Sequence, residues 1–182
     1  MFNSKQILKL LGVIALILCV LACGASPSTE SPSDLLSMTP PPDYQSGLHI
    51  RYQPYVYMEG WKDWAYDGQD AGTTGQTRYL EAIMIELINA PSTMGVAYKS
   101  YVYGSGWTDW TDDGQVTGTT GESKEMEAIS IKLTNAPQGF KVAYQAYLQF
   151  EGWTDWAYDG QVAGTTGQSR GIEAIRIKII TP

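Results

Sequence analysis

The stretch GWKDWAYDGQDAGTTG, residues 60–75, decides the fold because it returns twice at a spacing of 46 residues. Its second copy is GWTDWTDDGQVTGTTG at residues 106–121, and its third is GWTDWAYDGQVAGTTG at residues 152–167. A tandem repeat this regular indicates that one supersecondary unit was copied until neighbouring copies could bury its hydrophobic face. We therefore expect residues 48–182 to form one domain of three repeats, at about 49–94, 95–140 and 141–182.

The segments on either side of each copy alternate in the way that β-strands do. Side chains of successive strand residues point to opposite faces. The opening strands are thus predicted to turn these residues inward: Ile50, Tyr52, Val56, Val96, Tyr98, Val102, Val142, Tyr144 and Leu148. The tyrosines predicted on the opposite face are Tyr55, Tyr101 and Tyr147. The closing strands read Glu-Ala-Ile-x-Ile from residues 81, 127 and 173, with their isoleucines inward.

Each closing strand begins with a glutamate that shares the inward parity of the isoleucines. These residues are Glu81, Glu127 and Glu173. A carboxylate at the margin of a core is costly unless it is hydrogen-bonded. We expect its partner to be a backbone amide of the Gly-Thr-Thr-Gly turn or an indole N–H, which is mainly a structural role.

These patterns predict an all-β domain. The Trp segment and the Gly/Thr turn add one or two short strands to the two long ones, giving three or four strands in each repeat. Three such units suit a closed arrangement with pseudo-threefold symmetry, which leaves few exposed sheet edges. A β-prism and a β-trefoil both satisfy this description, and we favour the β-prism.

The N-terminal region reads as a targeting segment and a tether. Residues 1–22 combine Lys5 and Lys9 with a short apolar run, as a signal peptide does. The following Cys23 completes a sequence similar to the lipobox of bacterial lipoproteins, in which that cysteine is lipidated. Residues 23–47 are rich in Ser and Pro and are expected to act as an extended spacer. We expect an extracytoplasmic protein held to the bacterial cell membrane by a lipid anchor only.

Charge and histidine content limit the function. Two of the 12 basic residues lie in the leader, which leaves 10 against 19 acidic residues. Such an acidic chain is a poor ligand for nucleic acid. The single histidine, His49, is not repeated, so no triad and no histidine metal cluster can recur. We expect no catalysis, no metal and no cofactor, because every candidate acid occurs three times in equivalent surroundings.

The two tryptophans of each copy are the main functional candidates. They lie three residues apart, which on an extended strand places them on opposite faces. We expect the first to enter the core and the second to be exposed as a platform for a sugar, flanked by hydrogen-bonding Asp and Gln. The alternative is that both fill the core while the Asp bonds the turn backbone. The candidate ligand-binding residues are Trp64, Trp110, Trp156, Asp63, Asp109, Asp155, Gln69, Gln115, Gln161, Tyr55, Tyr101 and Tyr147.

The Gly-Trp-x-Asp-Trp copies, with Asp-Gly-Gln-x-x-Gly-Thr-Thr-Gly and Glu-Ala-Ile-x-Ile after each, resemble the clostridial hydrophobic-Trp (ChW) repeat. The resemblance covers the repeats and neither the leader nor the spacer. It implies a secreted or surface protein of bacteria that functions in extracellular binding or attachment. Many members carry a His-Val-Gln-like stretch where this chain has Tyr55-Val56-Tyr57, so no role of that histidine transfers here. The partner is expected to be a cell-wall glycan or, alternatively, an envelope protein docked on an exposed tyrosine surface.

Overall fold

The computed structural model describes residues 47–182, which fold entirely as strands, turns and loops. No helix occurs among these residues, so this part of the chain offers none that could cross a membrane. The predicted leader, the lipidated Cys23 and all but the last residue of the predicted spacer lie outside the described residues. The all-β prediction is confirmed for the part of the chain that the structure describes.

Each repeat contributes a long opening strand, three short strands and a long closing strand. The first repeat forms β1 (His49–Val56), β2 (Gly60–Trp61), β3 (Ala65–Tyr66), β4 (Ala71–Gly72) and β5 (Leu80–Ile88). The second forms β6 (Gly95–Val102), β7 (Gly106–Trp107), β8 (Thr111–Asp112), β9 (Val116–Gly118) and β10 (Met126–Thr134). The third forms β11 (Lys141–Leu148), β12 (Gly152–Trp153), β13 (Ala157–Tyr158), β14 (Val162–Gly164) and β15 (Ile172–Ile180). The prediction of three or four strands was too low, because the Trp segment bends and pairs as two separate short pieces.

The fifteen strands form three sheets, one for each repeat. The opening and closing strands of a repeat pair antiparallel, as β1 with β5, β6 with β10 and β11 with β15. The short Gly/Thr strand, however, leaves its own repeat. Strand β9 joins β5, β14 joins β10, and β4 joins β15. Each repeat therefore completes the sheet of the preceding one, and the first completes the sheet of the third.

The inner faces of the sheets share one core, and its largest members are three tyrosines. Tyr52, Tyr98 and Tyr144 are completely buried. Isoleucines of the closing strands pack around them, as the alternation predicts. The Tyr98 hydroxyl accepts a hydrogen bond from the amide of Ile85 in the preceding repeat, at 3.1 Å, and donates to the carbonyl of Gln115. Burial raises the pKa of Tyr98, so the hydroxyl stays neutral and remains a donor.

The glutamates of the closing strands lie at β-bulges. In the first repeat Tyr55 pairs with Ala82 and Val56 with Leu80, so Glu81 is the extra residue of the bulge. Its carbonyl accepts from the amide of Thr119 at 2.9 Å, and its carboxylate accepts from the amide of Gly121 at 2.7 Å. The same carboxylate-to-amide bond joins Glu127 to Gly167 and Glu173 to Gly75. The predicted turn-amide partner is confirmed, but the turn belongs to another repeat: the second for Glu81, the third for Glu127 and the first for Glu173.

One glycine of the turn is required by this docking. At Gly118 the backbone φ is +100°, and a Cβ would lie 2.3 Å from the carbonyl oxygen of Glu81. The equivalent distances are 2.3 Å at Gly72 and 2.2 Å at Gly164. No side chain fits so close to another strand, so this Gly of the repeated motif permits the exchange of short strands.

Candidate functional site

All six tryptophans lie on the outer surfaces of the sheets. We call the outer surface of each repeat its Trp face; the pairs that define it are Trp61 with Trp64, Trp107 with Trp110, and Trp153 with Trp156. Trp61 is 38% exposed and Trp110 is 41% exposed, and the other four are partly exposed. No tryptophan belongs to the buried core of the described residues. The indole rings are therefore surface groups in every repeat.

The expectation that the first tryptophan of each pair enters the core was wrong, as was the alternative that both do. Trp61 pairs across the hairpin with Tyr55, which alternates with the buried Pro54 and Val56. Directly opposed side chains share a face, so Trp61 must point outward with Tyr55. Trp64 precedes the buried Ala65 and also turns outward. The spacing of three misled because residues 62–64 are not in a strand, so parity does not connect the two rings.

A cation lies over at least one ring of every Trp face. The Arg51 guanidinium is 4.2 Å from the ring centre of Trp64. In the second repeat, Lys132 lies 4.1 Å from Trp110. In the third repeat, Lys178 lies 4.3 Å from Trp156 and Arg176 lies 3.9 Å from Trp153. Such contacts contribute about 0.5–1 kcal/mol at exposed sites and hold the ring in a fixed position.

The source of this cation differs between repeats in an informative way. Lys132 and Lys178 occupy the same closing-strand position, where the first repeat has Glu86 instead. There the residue directly opposite Glu86 is Arg51, which bonds Glu86 at 2.8 Å and covers Trp64. The cation over the second tryptophan thus comes from the opening strand in the first repeat and from the closing strand in the other two. These cations were missed from the sequence; the signal was a basic residue at the outward position after the isoleucines.

The other predicted site residues are distributed unevenly around the Trp faces. Tyr55, Tyr101 and Tyr147 are half-buried and meet the first tryptophan of their repeat edge-on, with ring centres 5.4, 5.6 and 5.4 Å apart. The aspartates between the two tryptophans of each copy are Asp63, Asp109 and Asp155, and all three are exposed. Their carboxylates make no hydrogen bond or ion pair within residues 47–182. They are open to a ligand and do not bond the turn.

The glutamines serve the turn that follows the tryptophans. The side-chain oxygen of Gln69 accepts from the amide of Tyr66 at 3.0 Å, and that of Gln161 accepts from the amide of Tyr158 at 3.0 Å. Gln115 differs, since its side-chain oxygen lies 3.4 Å from the hydroxyl of Thr111. One end of each glutamine side chain is thus used locally, and the structure brings the glutamines together with the turn rather than with the indole rings.

The remaining candidates for metal binding are clusters of acidic side chains and the single histidine. Within residues 47–182 no three His, Cys, Asp or Glu side chains come together as a metal site would require. The one histidine, His49, has its Nδ1 2.7 Å from a carboxylate oxygen of Asp67, whose other oxygen accepts from the amide of Ile50 at 3.0 Å. This contact ties the Asp-Gly turn of the first repeat to the start of β1.

Comparison with known families agrees with the repeat boundaries. A family model described as Clostridial hydrophobic W (ChW) matches residues 59–89, 101–135 and 147–180, which is more than half of the chain. No curated protein and no solved structure matched the chain. Each matched segment holds one Trp face together with the glutamate bulge of the same repeat.

Proposed function

We propose a function for this chain from a plain premise: it belongs to the clostridial hydrophobic W (ChW) repeat family. It is a non-catalytic binding module that recognises polysaccharide or cell-wall glycan through its three Trp faces. The lipid on Cys23 holds it on the outside of the bacterial cell membrane. The three sheets close around their shared core in a β-prism-like arrangement, with the β-trefoil as the alternative; the cyclic exchange of short strands supports closure.

The observation that carries this proposal is that a core of tyrosine and isoleucine leaves all six indole rings at the surface. Tryptophan is the side chain with most to gain from burial, so its repeated exposure is unexpected for a purely structural role. Each second tryptophan has a free carboxylate beside it in sequence and a cation over its ring. An aromatic group with a carboxylate acceptor and a cationic donor close to it is the chemistry that sugar rings with hydroxyl groups require.

The threefold repetition favours binding over catalysis. The candidate acids that are buried, Glu81, Glu127 and Glu173, each accept a bond from a turn amide and so have a structural task. Three weak and equivalent sites gain avidity on a polymer that carries the same unit many times. Docking of an envelope protein on an exposed tyrosine surface is less well supported, because Tyr55, Tyr101 and Tyr147 are half-buried against tryptophans.

The test is retention on polysaccharide. The full chain is compared with a variant carrying Trp64→Ala, Trp110→Ala and Trp156→Ala, in pull-downs on insoluble cell-wall polysaccharide and on a glycan array. We expect the parent to be retained and the variant to be lost from the same ligands, while urea unfolding shows about 1 kcal/mol lost per substitution, well below the 3–5 kcal/mol of a buried tryptophan. A folded parent that binds no glycan would refute the proposal.

A further inference from the structure

Cavities lie at junctions between repeats, away from the second tryptophans. One of about 320 Å³ is lined by Tyr55, Tyr57, Met58 and Glu81 of the first repeat and by Gly121 of the second. Another, of about 360 Å³, is lined by the equivalent residues of the third and first repeats, namely Tyr147, Phe150, Glu173 and Gly75. We call these two spaces the junction cavities.

Each junction cavity contains a buried carboxylate with one unused oxygen. Glu81 and Glu173 are each 1% exposed, and one oxygen of each accepts from a turn amide. Their other oxygen has no hydrogen-bond partner among the described residues. At the third junction, Glu127 is fully buried, and its Oε1 has neither solvent contact nor a partner within residues 47–182. A carboxylate oxygen in a largely buried side chain needs a hydrogen-bond donor, and Glu81 and Glu173 line cavities through which a donor from outside the chain can reach the unused oxygen.

The walls of the junction cavities indicate which donor fits. No lysine or arginine lines either cavity. The basic side chains nearby in sequence already have carboxylate partners: Lys62 and Arg78 pair with Glu59, and Arg170 pairs with Glu151, which lies in the wall of the second cavity. The remaining wall combines aromatic and apolar side chains with Ser123 in the first cavity and with Thr77 and Glu151 in the second. The hydroxyls of Tyr55 and Tyr147 lie close to the turn glycines of these cavities, and a carboxylate beside a hydroxyl attracts a cation that can donate hydrogen bonds.

Two exposed residues at the mouths of the cavities add an apolar element. Met58 is 84% exposed with φ of 63°, and Phe150 is 87% exposed with φ of 66°. A bulky residue is strained in this left-handed conformation, and the second repeat has Gly104 at the same position with φ of 74°. Neither strain nor exposure helps folding, so these side chains are best explained by contact with a ligand.

We propose that the junction cavities bind a primary ammonium group carried on an apolar stem, as in a lysine side chain. The ammonium donates to the unused oxygen of Glu81 or Glu173 and lies against Tyr55 or Tyr147. The hydrocarbon stem leaves the cavity along Met58 or Phe150. A quaternary ammonium lacks the N–H that the free oxygen requires. This site adjoins the first tryptophan of a Trp face through Tyr55 or Tyr147, includes no second tryptophan and does not depend on the proposed role of the Trp faces.

The experiment uses butylammonium as the probe and the backbone amides of Gly121 and Gly75 as reporters in ¹H–¹⁵N spectra of the full chain. We expect butylammonium to shift both amides, tetramethylammonium to act at least tenfold more weakly, and 1-butanol to have no effect. Glu81→Gln keeps an acceptor for the amide of Gly121 but removes the charge. It should weaken the Gly121 response about tenfold or more and leave Gly75 unchanged, which makes the third repeat an internal control.

A second pair of variants keeps the test independent of stability. Met58→Gly and Phe150→Gly introduce the residue that the second repeat already has, so they should raise the unfolding temperature while weakening binding by several-fold. Trp64→Ala should leave the butylammonium response unchanged. Nα-acetyl-lysine methylamide and glucosamine separate the possible sources of the amine, and the apolar stem predicts that the lysine derivative binds more tightly. Equal shifts from 1-butanol, equal binding of tetramethylammonium, or no shift of either glycine would overturn the proposal.

Discussion

Replacement of Gly118 by alanine tests the strand exchange most directly. The new methyl group would lie 2.3 Å from the carbonyl oxygen of Glu81 and 2.8 Å from the Cα of Ala82, both backbone atoms of another repeat. Because neither atom can rotate away, β9 must move off β5. The hydrogen bonds from the amides of Thr119 and Gly121 to Glu81 would then be lost. Left-handed strain of about 1–2 kcal/mol and two bonds, one of them to a carboxylate, give a loss of about 3–5 kcal/mol.

The matched control is Gly160→Ala, whose φ of +87° carries a similar backbone penalty but whose Cβ would meet nothing within 4 Å. Urea unfolding followed by far-ultraviolet circular dichroism measures both variants against the parent. We expect Gly160→Ala to cost about 1 kcal/mol and Gly118→Ala to cost several times more, a large fraction of the stability of an ordinary domain. Equal losses for the two variants would show that the close contact between repeats does not constrain the fold.

Three further predictions concern the core, the bulge and the Trp faces. Tyr98→Phe removes a buried hydroxyl that joins two repeats, and urea unfolding should show a loss of about 1–3 kcal/mol. Burial and the neighbouring Glu127 raise the pKa of Glu125, so the contribution of Glu125 to stability is fully present below its ordinary pKa of 4.5 and is lost as the pH rises through the raised value. Glu125→Gln should therefore melt higher than the parent at neutral pH, with the difference vanishing at low pH. Lys178→Met removes the cation over Trp156, and the indole emission should change while stability falls by no more than about 1 kcal/mol.

The inward-facing residues of the long strands could be predicted from the sequence, because the alternation of side chains along a strand alone decides them. Along β1, buried and half-buried residues alternate without a break, and Tyr52 points inward while Tyr55 points outward, as parity requires. The closing strand obeys the same rule for Ile83 and Ile85. Long strands with one buried face leave no freedom in register, since a slip of one residue would expose the whole apolar set.

The outer half could not be predicted, because the Trp segment is too short and too bent for parity to hold. Trp61 is placed by pairing with Tyr55, whereas Trp64 is placed by the separate pairing of Ala65 with Tyr52. Two independent strand pairings thus set the directions of the two tryptophans, so their spacing of three residues alone does not predict those directions. The cation over the ring was also hidden, because Arg51 and Lys132 reach the same kind of site from different strands.

The exchange of short strands was hidden for a reason that belongs to all exact repeats. Glu81 lies six positions after Gly75 and 40 positions before Gly121, and both glycines occupy the same place in the motif. A glutamate that bonds the turn of its own repeat and a glutamate that bonds the turn of the next repeat therefore show the same sequence pattern. In the structure the glutamate bonds the turn of the next repeat. This has a functional consequence, because the carboxylate-to-amide contact and the junction cavity form only where two repeats meet. A single repeat would carry every residue of the motif and still lack the complete junction.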